Sequence, residues 1–286
     1  MGTRSSLIMG AVAYDPKVVA IWDGFQSYFR ERDLDFDYVL FSNYERQVEA
    51  HVLGHIDVAW NSPLAWLQSE RVAKVLRRRA EAIVMRDTDM DLASIVLVRA
   101  ESGVDKLADL KGKKVAVGAL DSPQANLIPL NLLAEHGLRP EVDFTVIAFD
   151  KLVGKHGDHI GGERDAVRAL MKGDADAACI LDGNRLSFAR EGIISSGSTR
   201  VLAQTPPFDH CNFTVFDGVP SALIARFRDL LLQMSYADEM VRPLFDMEGL
   251  KRWAPGRTSG YAQLAAAIDR FGTIDAFVKG LAAKCR

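Results

Sequence analysis

Within six residues, Asp121-Ser122-Pro123-Gln124-Ala125-Asn126 brings together a carboxylate, a hydroxyl and two amides. The stretch follows a short apolar run and opens a helical pattern. It therefore sits where unpaired backbone N–H groups attract anions. Yet Ser122 is its only hydroxyl, Pro123 has no N–H to donate, and Asp121 sets a negative charge where an anion would lie. A solute bearing a donor or a positive group suits this loop better than a simple dianion, unless Asp121 serves only as a helix cap.

A second candidate is the tract 155–163 (KHGDHIGGE), where His159 and Glu163 stand among three glycines. Glycine allows a backbone to approach a ligand closely. The tract has neither the strand-to-helix GxGxxG context nor the GxxxxGK[ST] of a phosphate loop. Tyr14 and Asp15, then Trp60, Asn61 and Ser62, and finally Asp182 follow predicted strands. Tyr14 or Trp60 offers a flat face for stacking, although Trp60 and Trp66 also suit a core, and Asp182 also suits a cap.

Other reactive types have simpler readings. His51 and His55 are four apart, a metal-ligand spacing on one helix face. Gly54 ends that helix first, so both are read as solvated helix-end residues. His156 and His159 are a better pair, since a glycine-rich loop can wrap a cation, but they too are read as loop residues rather than ligands. Cys211, between His210 and Asn212, is read as a buried, inert thiol at the start of a strand, and Cys179 as core. No metal, cofactor or catalytic set is assigned. Asp121, Glu163, Asp182 and His159 could form an acid–histidine set, which keeps an enzyme open as the alternative.

The elements that position these residues occur as a pattern used twice. In the first copy a strand at 7–13 meets a turn at Tyr14-Asp15-Pro16. A helix over 17–31 follows, with Val18, Ile21, Trp22, Phe25 and Phe29 at helical spacing. Then come a strand at 37–41, a helix at 44–53 stopped by Gly54, and a strand at 56–59. The second copy has strands at 115–118, 144–148 and 177–181, with helices at 124–136 and 165–171. Gly54-His55-Ile56-Asp57-Val58-Ala59 parallels Gly173-Asp174-Ala175-Asp176-Ala177-Ala178. Each copy is a β-α-β-α-β unit with parallel strands, whose ligands belong at the strands' carboxyl ends.

Two β-rich runs, 91–99 and 211–216, read as paired crossover segments joining two lobes. Lobe one is then 1–98 plus 208–286, and lobe two is 99–207. Helices are expected at 221–235, 239–245 and 261–284, the last broken near Gly272.

Composition narrows the class. The 286 residues are 48% hydrophobic and 26% charged, which is globular rather than disordered. A net charge of −3 argues against a nucleic-acid binder. No apolar run reaches the roughly 18 residues of a membrane span. Three cysteines without a CxxC argue against a disulfide framework or a cysteine-built zinc site.

The stretches 43–66 (NYERQVEAHVLGHIDVAWNSPLAW), 107–117 (LADLKGKKVAV) and 165–178 (DAVRALMKGDADAA) resemble the type II periplasmic solute-binding proteins. The likeness is greatest to the branch serving phosphonate, phosphite and phosphate ABC transporters, and it spans about residues 7–235. The resemblance implies an α/β, two-lobed type II periplasmic-binding-protein fold. Each lobe would be a mixed, mainly parallel sheet flanked by helices, with the ligand cleft between lobes. It implies ligand contacts at Tyr14, Trp60, Asn61, Ser62, His159 and Asp182, to which the residue reading adds Asp15, Asp121, Ser122, Gln124 and Glu163. A monomer that hands a small molecule to a permease, with no cofactor and no nucleic acid, is expected. The alternative on this fold is an intracellular decarboxylase- or lyase-like enzyme or a ligand sensor.

The resemblance also implies the periplasm. The apolar run 6–13 behind Arg4 reads as the first strand rather than an export signal, and Met1-Gly2-Thr3 suits an engineered start. If Met1 is the native start, the expected location is the cytoplasm.

Overall fold

The computed structural model describes residues 6–285. Met1, Gly2, Thr3 and Arg4, on which the reading of the start rests, lie outside the described residues, as do Ser5 and Arg286.

The chain divides into two compact units. The first runs to Met90, resumes for Asp209–Tyr261 and takes the chain from Thr273 on. Its elements before that break are β1 (Ser6–Val12), α1 (Lys17–Arg30), β2 (Asp35–Phe41), α2 (Tyr44–Val52), β3 (Val58–Asn61), α3 (Pro63–Val75) and β4 (Ala80–Arg86). The second unit, Asp91–Phe208 with Ala262–Gly272, holds β5 (Ser94–Arg99), β6 (Lys114–Val117), a π-helical turn at Pro123–Leu127, α4 (Ile128–Glu135), β7 (Thr145–Ala148), α5 (Gly161–Lys172), β8 (Ala177–Leu181), α6 (Asp182–Arg190) and β9 (Thr199–Gln204). The chain then returns to the first unit with β10 (Asn212–Phe216), α7 (Ser221–Gln233), α8 (Arg242–Glu248) and β11 (Trp253–Pro255). Of the last two helices, α9 (Ala262–Phe271) belongs to the second unit and α10 (Asp275–Lys284) to the first, with Gly272 between them at φ 64°.

The two sheets share one plan. Strand order is β11-β4-β10-β3-β1-β2 in the first and β7-β6-β8-β5-β9 in the second. In each, three strands are parallel and the next is antiparallel: β10 beside β3, and β5 beside β8. The repeated aspartates fix this arrangement. Asp57 N–H donates to the Ile8 carbonyl at 2.8 Å while its Oδ2 accepts from Ile8 N–H at 2.8 Å. Asp176 does the same to Lys114, with its N–H to the carbonyl at 2.8 Å and its Oδ2 taking the Lys114 N–H at 2.9 Å. Each clamp sets the register of the next pair, Met9 with Val58 and Val115 with Ala177. A left-handed glycine precedes each clamp, Gly54 at φ 77° and Gly173 at φ 83°, and turns the chain out of its helix.

Period-two alternation builds the second unit's core on both sheet faces. Ile95, Leu97, Ala116, Ala178 and Ile180 pack on one side, and Val96, Val98, Val115, Val117 and Cys179 on the other. The first unit's core is aromatic, with Trp22, Phe25, Phe29, Phe36, Trp60, Phe213, Phe227 and Trp253 in one cluster.

Some expectations change. The two β-rich runs do not pair with one another. β5 and β10 enter different sheets, and the chain crossings meet before them, at a bridge between Leu92 and Phe208 and at the hydrogen bond from His210 N–H to the Asp89 carbonyl. The contacts therefore put residues 91–98 with the second unit. The sequence pattern also passes over α3, β4, α6 and β9. Residues 63–69 of α3 are buried without interruption, so no amphipathic stripe marks the helix, although Ser62 before Pro63 is a starting signal. Among the described residues no helix is long and apolar enough to cross a membrane.

His51 is not solvated. It packs on the Phe216 ring at 4.5 Å between centroids, and its Nε2 lies 3.3 Å from the Asp57 carbonyl oxygen. Burial pushes its pKa down from 6.5 to about 3; the Asp57 carbonyl opposes this and the Arg78 charge adds to it. His55 is exposed, so the pair forms no ligand face.

Two measurements follow. Asp57→Ala leaves the half-buried Ile8 N–H without its acceptor and should lower unfolding free energy by about 1–3 kcal/mol in urea. Asp176→Ala, beside the exposed Lys114, should cost less; equal, negligible effects would show that the clamps do not hold the sheets. Acid provides the second. Because the folded pKa of His51 is depressed, its contribution is complete above pH 6.5 and declines as pH falls toward 3. His51→Gln should lessen the acid loss over that window, by up to about 1.4 kcal/mol per pH unit. An unchanged pH profile would refute the buried neutral imidazole.

Candidate functional site

At the carboxyl edge of the second unit's parallel strands, three segments converge: the loop after β6, residues 150–160, and the start of α5. Ser122 caps the turn after β6, its Oγ accepting from Ala125 N–H at 3.2 Å. Gln124 follows it, 3% exposed, and its Nε2 donates to the Gly157 carbonyl at 2.7 Å. Gly157 has φ 82°, and a Cβ there would meet the Gln124 amide at 2.5 Å. Only glycine closes this contact, so the glycine-rich tract packs tightly on Gln124. Gly162 fills the same role beneath α5, where a Cβ would lie 2.7 Å from the Phe149 carbonyl oxygen. Gly161 and Gly162 begin α5 earlier than the pattern at 165–171 suggests, and His159 stands two residues before it.

Three side chains in this group hold buried polar atoms with no hydrogen-bond partner: Asp121 Oδ1, Gln124 Oε1 and both ring nitrogens of His159. The other Asp121 oxygen accepts from Gly154 N–H, anchoring the loop. Burial holds the His159 imidazole below its usual pKa; the Asp121 carboxylate and the Lys151 backbone pull it up, and Lys155 pushes it down. An unmade hydrogen bond on a buried group costs about 1–3 kcal/mol. A cluster of them marks a place where a ligand has something to satisfy.

Glu163 is different. It is 2% exposed and accepts from Leu181 N–H and Asn184 Nδ2, each at 2.8 Å, with Gln124 Nε2 at 3.4 Å. Its carboxylate ties α5 to the end of β8 and is no free ligand group. Asp182 begins α6, is exposed, and lines a pocket of about 470 Å³ with Arg185, Leu186, Ile194, Ser195 and Thr199. None of Asp121, Gln124, His159 and Glu163 lines that pocket.

In the first unit most sequence candidates serve the fold. Trp60 is 4% exposed, with the Phe213 ring at 4.7 Å and Trp253 perpendicular at 5.7 Å. It is built into the core rather than presented for stacking. Asn61 Oδ1 accepts from Gln47 Nε2 at 2.8 Å, and its Nδ2 donates to Thr214 Oγ1 at 2.9 Å. Ser62 Oγ caps α3, accepting from Ala65 N–H at 3.1 Å. Trp60 and Asn61 are buried in β3, an inner strand of its sheet, and Ser62 is buried at the start of α3. Tyr14 and Asp15 remain at the end of β1, half-buried and exposed, and Asp15 Oδ1 accepts from Lys17 N–H at 2.9 Å.

Sequence reasoning missed a polar network at the start of β10. Asp209 is paired two-fold by Arg257, at 2.7 and 2.6 Å, and Tyr261 donates to the His210 carbonyl at 2.8 Å. These partners lie about fifty residues apart in sequence, so no local spacing announces them.

Residues 10–261 match the family described as the phosphonate ABC transporter's periplasmic substrate-binding protein. Solved structures with the same two-lobed fold include PhnD1 from Prochlorococcus marinus in complex with methylphosphonate. That pair shares 16% identity at TM-score 0.68, covering 94% of this chain and 98% of that one. A binding protein component of an ABC phosphonate transporter from Pseudomonas aeruginosa shares 12% at TM-score 0.61, over 97% and 96%. The periplasmic aliphatic sulphonate binding protein SsuA from Escherichia coli shares 19% at TM-score 0.60, over 94% and 93%.

The contrast between the two acids is measurable. Glu163→Ala should lower unfolding free energy by about 2–4 kcal/mol, since it strips several donors of a charged acceptor. Asp182→Ala, on an exposed first turn, should stay within about 0.5 kcal/mol. A neutral Glu163→Ala would return that carboxylate to the list of ligand groups.

Proposed function

We infer that this chain captures a small solute for ABC-type uptake, because it belongs to the family of periplasmic substrate-binding proteins of phosphonate ABC transporters. The solute in this reading is a small zwitterion, a phosphonate or sulfonate carrying an amino group. The observation behind it is the Asp121 carboxylate, whose Oδ1 is buried and unpartnered in the same loop cluster as an unpartnered His159.

Asp121 Oδ1 and Gln124 Oε1 can only accept, and an ammonium group supplies the donors they lack. His159, kept neutral by burial, can donate from one nitrogen to an oxyanion, and the Ser122 hydroxyl proton is a second donor. A bare dianion would meet Asp121 as a like charge at low dielectric. Capture follows the logic of a population shift, in which the solute stabilises the conformation that it contacts best. Export to the periplasm, a monomeric state and delivery to a permease belong to the same proposal.

Calorimetry with 2-aminoethylphosphonate, methylphosphonate and inorganic phosphate tests it. The amino compound should bind at least tenfold more tightly than methylphosphonate, and mass spectrometry should recover it unchanged. Asp121→Asn should narrow or invert that preference. Micromolar or tighter binding of simple phosphate would overturn the assignment of Asp121, and consumption of the ligand would favour an enzyme.

A further inference from the structure

Far from the Asp121 group in sequence, and within the first unit, a carboxylate, an imidazole and a thiol converge. Asp89, His210 and Cys211 are all buried, and one ligand atom from each lies within 4.8 Å of the others. His210 Nδ1 is 3.1 Å from Cys211 Sγ and 3.5 Å from Asp89 Oδ1. The same ring nitrogen thus faces both partners. A catalytic relay needs the acid and the thiol on opposite nitrogens of the imidazole, so that one holds the ring while the other exchanges a proton. Here both neighbours face one nitrogen, an arrangement that a single cation can share with the thiol and the carboxylate.

The spacing fits a cation as well. Zinc bonds of about 2.3 Å to sulfur and 2.0–2.2 Å to nitrogen or oxygen make tetrahedral edges of about 3.6 Å for S···N and 3.4 Å for N···O. The Nδ1···Oδ1 separation of 3.5 Å matches its edge, and the Nδ1···Sγ separation of 3.1 Å would open by about half an ångström on binding. The three groups are also held from outside, as metal ligands are. Arg86 donates to both Asp89 oxygens, Nη2 reaching Oδ1 at 2.8 Å, which leaves Oδ1 a lone pair toward His210. His210 N–H donates to the Asp89 carbonyl at 2.8 Å, and Tyr261 Oη donates to the His210 carbonyl at 2.8 Å.

Arg86 also joins Asp89 to Glu248, whose Oε1 is 3.1 Å from its Nη1, so the carboxylate at this group is held on a fixed cationic support.

We propose that Asp89, His210 and Cys211 form a binding site for a divalent transition metal of zinc type, with the fourth position left to water. Binding deprotonates the Cys211 thiol, one proton leaving for solvent as the sulfur–metal bond forms, so affinity rises with pH. The site lies at the junction that opens β10, and it needs no solute at the Asp121 loop.

The test uses the reduced full-length chain and Co²⁺ as an optical probe, with Zn²⁺ as competitor. One equivalent of Co²⁺ should give a thiolate-to-cobalt charge-transfer band that Zn²⁺ abolishes. Cys211→Ser should lose the band, while Cys285→Ser should keep it; Cys179 is buried in the other unit, its thiol pushed up to about 12. His210→Gln should weaken cobalt binding at least tenfold, which decides the matter if Cys211→Ser does not fold. Zn²⁺ should also slow iodoacetamide alkylation of the Cys211 peptide relative to the Cys285 peptide. No band in the reduced protein, or a band that survives Cys211→Ser or His210→Gln, overturns the site.

Discussion

In each unit a single aspartate exchanges two hydrogen bonds with the first strand of its own sheet, and the rest of the arrangement follows from that pair of clamps. Asp57 binds the Ile8 peptide and Asp176 the Lys114 peptide through both N–H and carboxylate. Parallel strands lack the hairpin turn that sets register in antiparallel ones. The clamp supplies that reference, one residue before the ladder begins. With the register set, the three parallel strands of each sheet end along one edge.

What each edge carries is then decided by packing. In the second unit, residues 152–157 include four with positive φ, namely Leu152, Gly154, His156 and Gly157. Such a winding is costly for side-chain-bearing residues and persists only where surrounding contacts impose it. Here Gln124 and Asp121 impose it, the first through the Gly157 carbonyl and the second through the Gly154 N–H. The atoms these residues leave unpaired are a by-product of holding the loop, and they are what a solute can use. The first unit spends the equivalent positions on its core. An aromatic pair adds about 0.5–1.5 kcal/mol beyond burial, and Trp60 makes three such contacts, with Trp22, Phe213 and Trp253.

The buried charges follow a different rule. Arg86 lies against the Trp60 ring at 5.2 Å and between Asp89 and Glu248, so its desolvation is offset by two carboxylates and an aromatic face. Those carboxylates hold its pKa well above the usual guanidinium value against the opposing effect of burial. The metal assignment rests instead on geometry, since His210 turns one ring nitrogen toward both Cys211 and Asp89.

The sequence by itself determined the repeat, and through it the fold. Helix-stopping glycines, the aligned Asp57 and Asp176, and apolar runs of strand length are local signals, legible because hydrogen-bond geometry and side-chain period act over a few residues. It also determined that Asp121, Ser122 and Gln124 open a helical turn at a strand end. Only the tertiary structure decided which polar residues stay free. Asn61, Ser62 and Glu163 have the composition of ligand groups, yet their partners Thr214, Ala65 and Leu181 claim them, two of these from distant parts of the chain. Asp89 and His210 are likewise more than a hundred residues apart, brought together because β4 and β10 are neighbours in one sheet. Whether a polar atom is satisfied depends on partners that meet only when the chain has folded, and no spacing along the sequence records that.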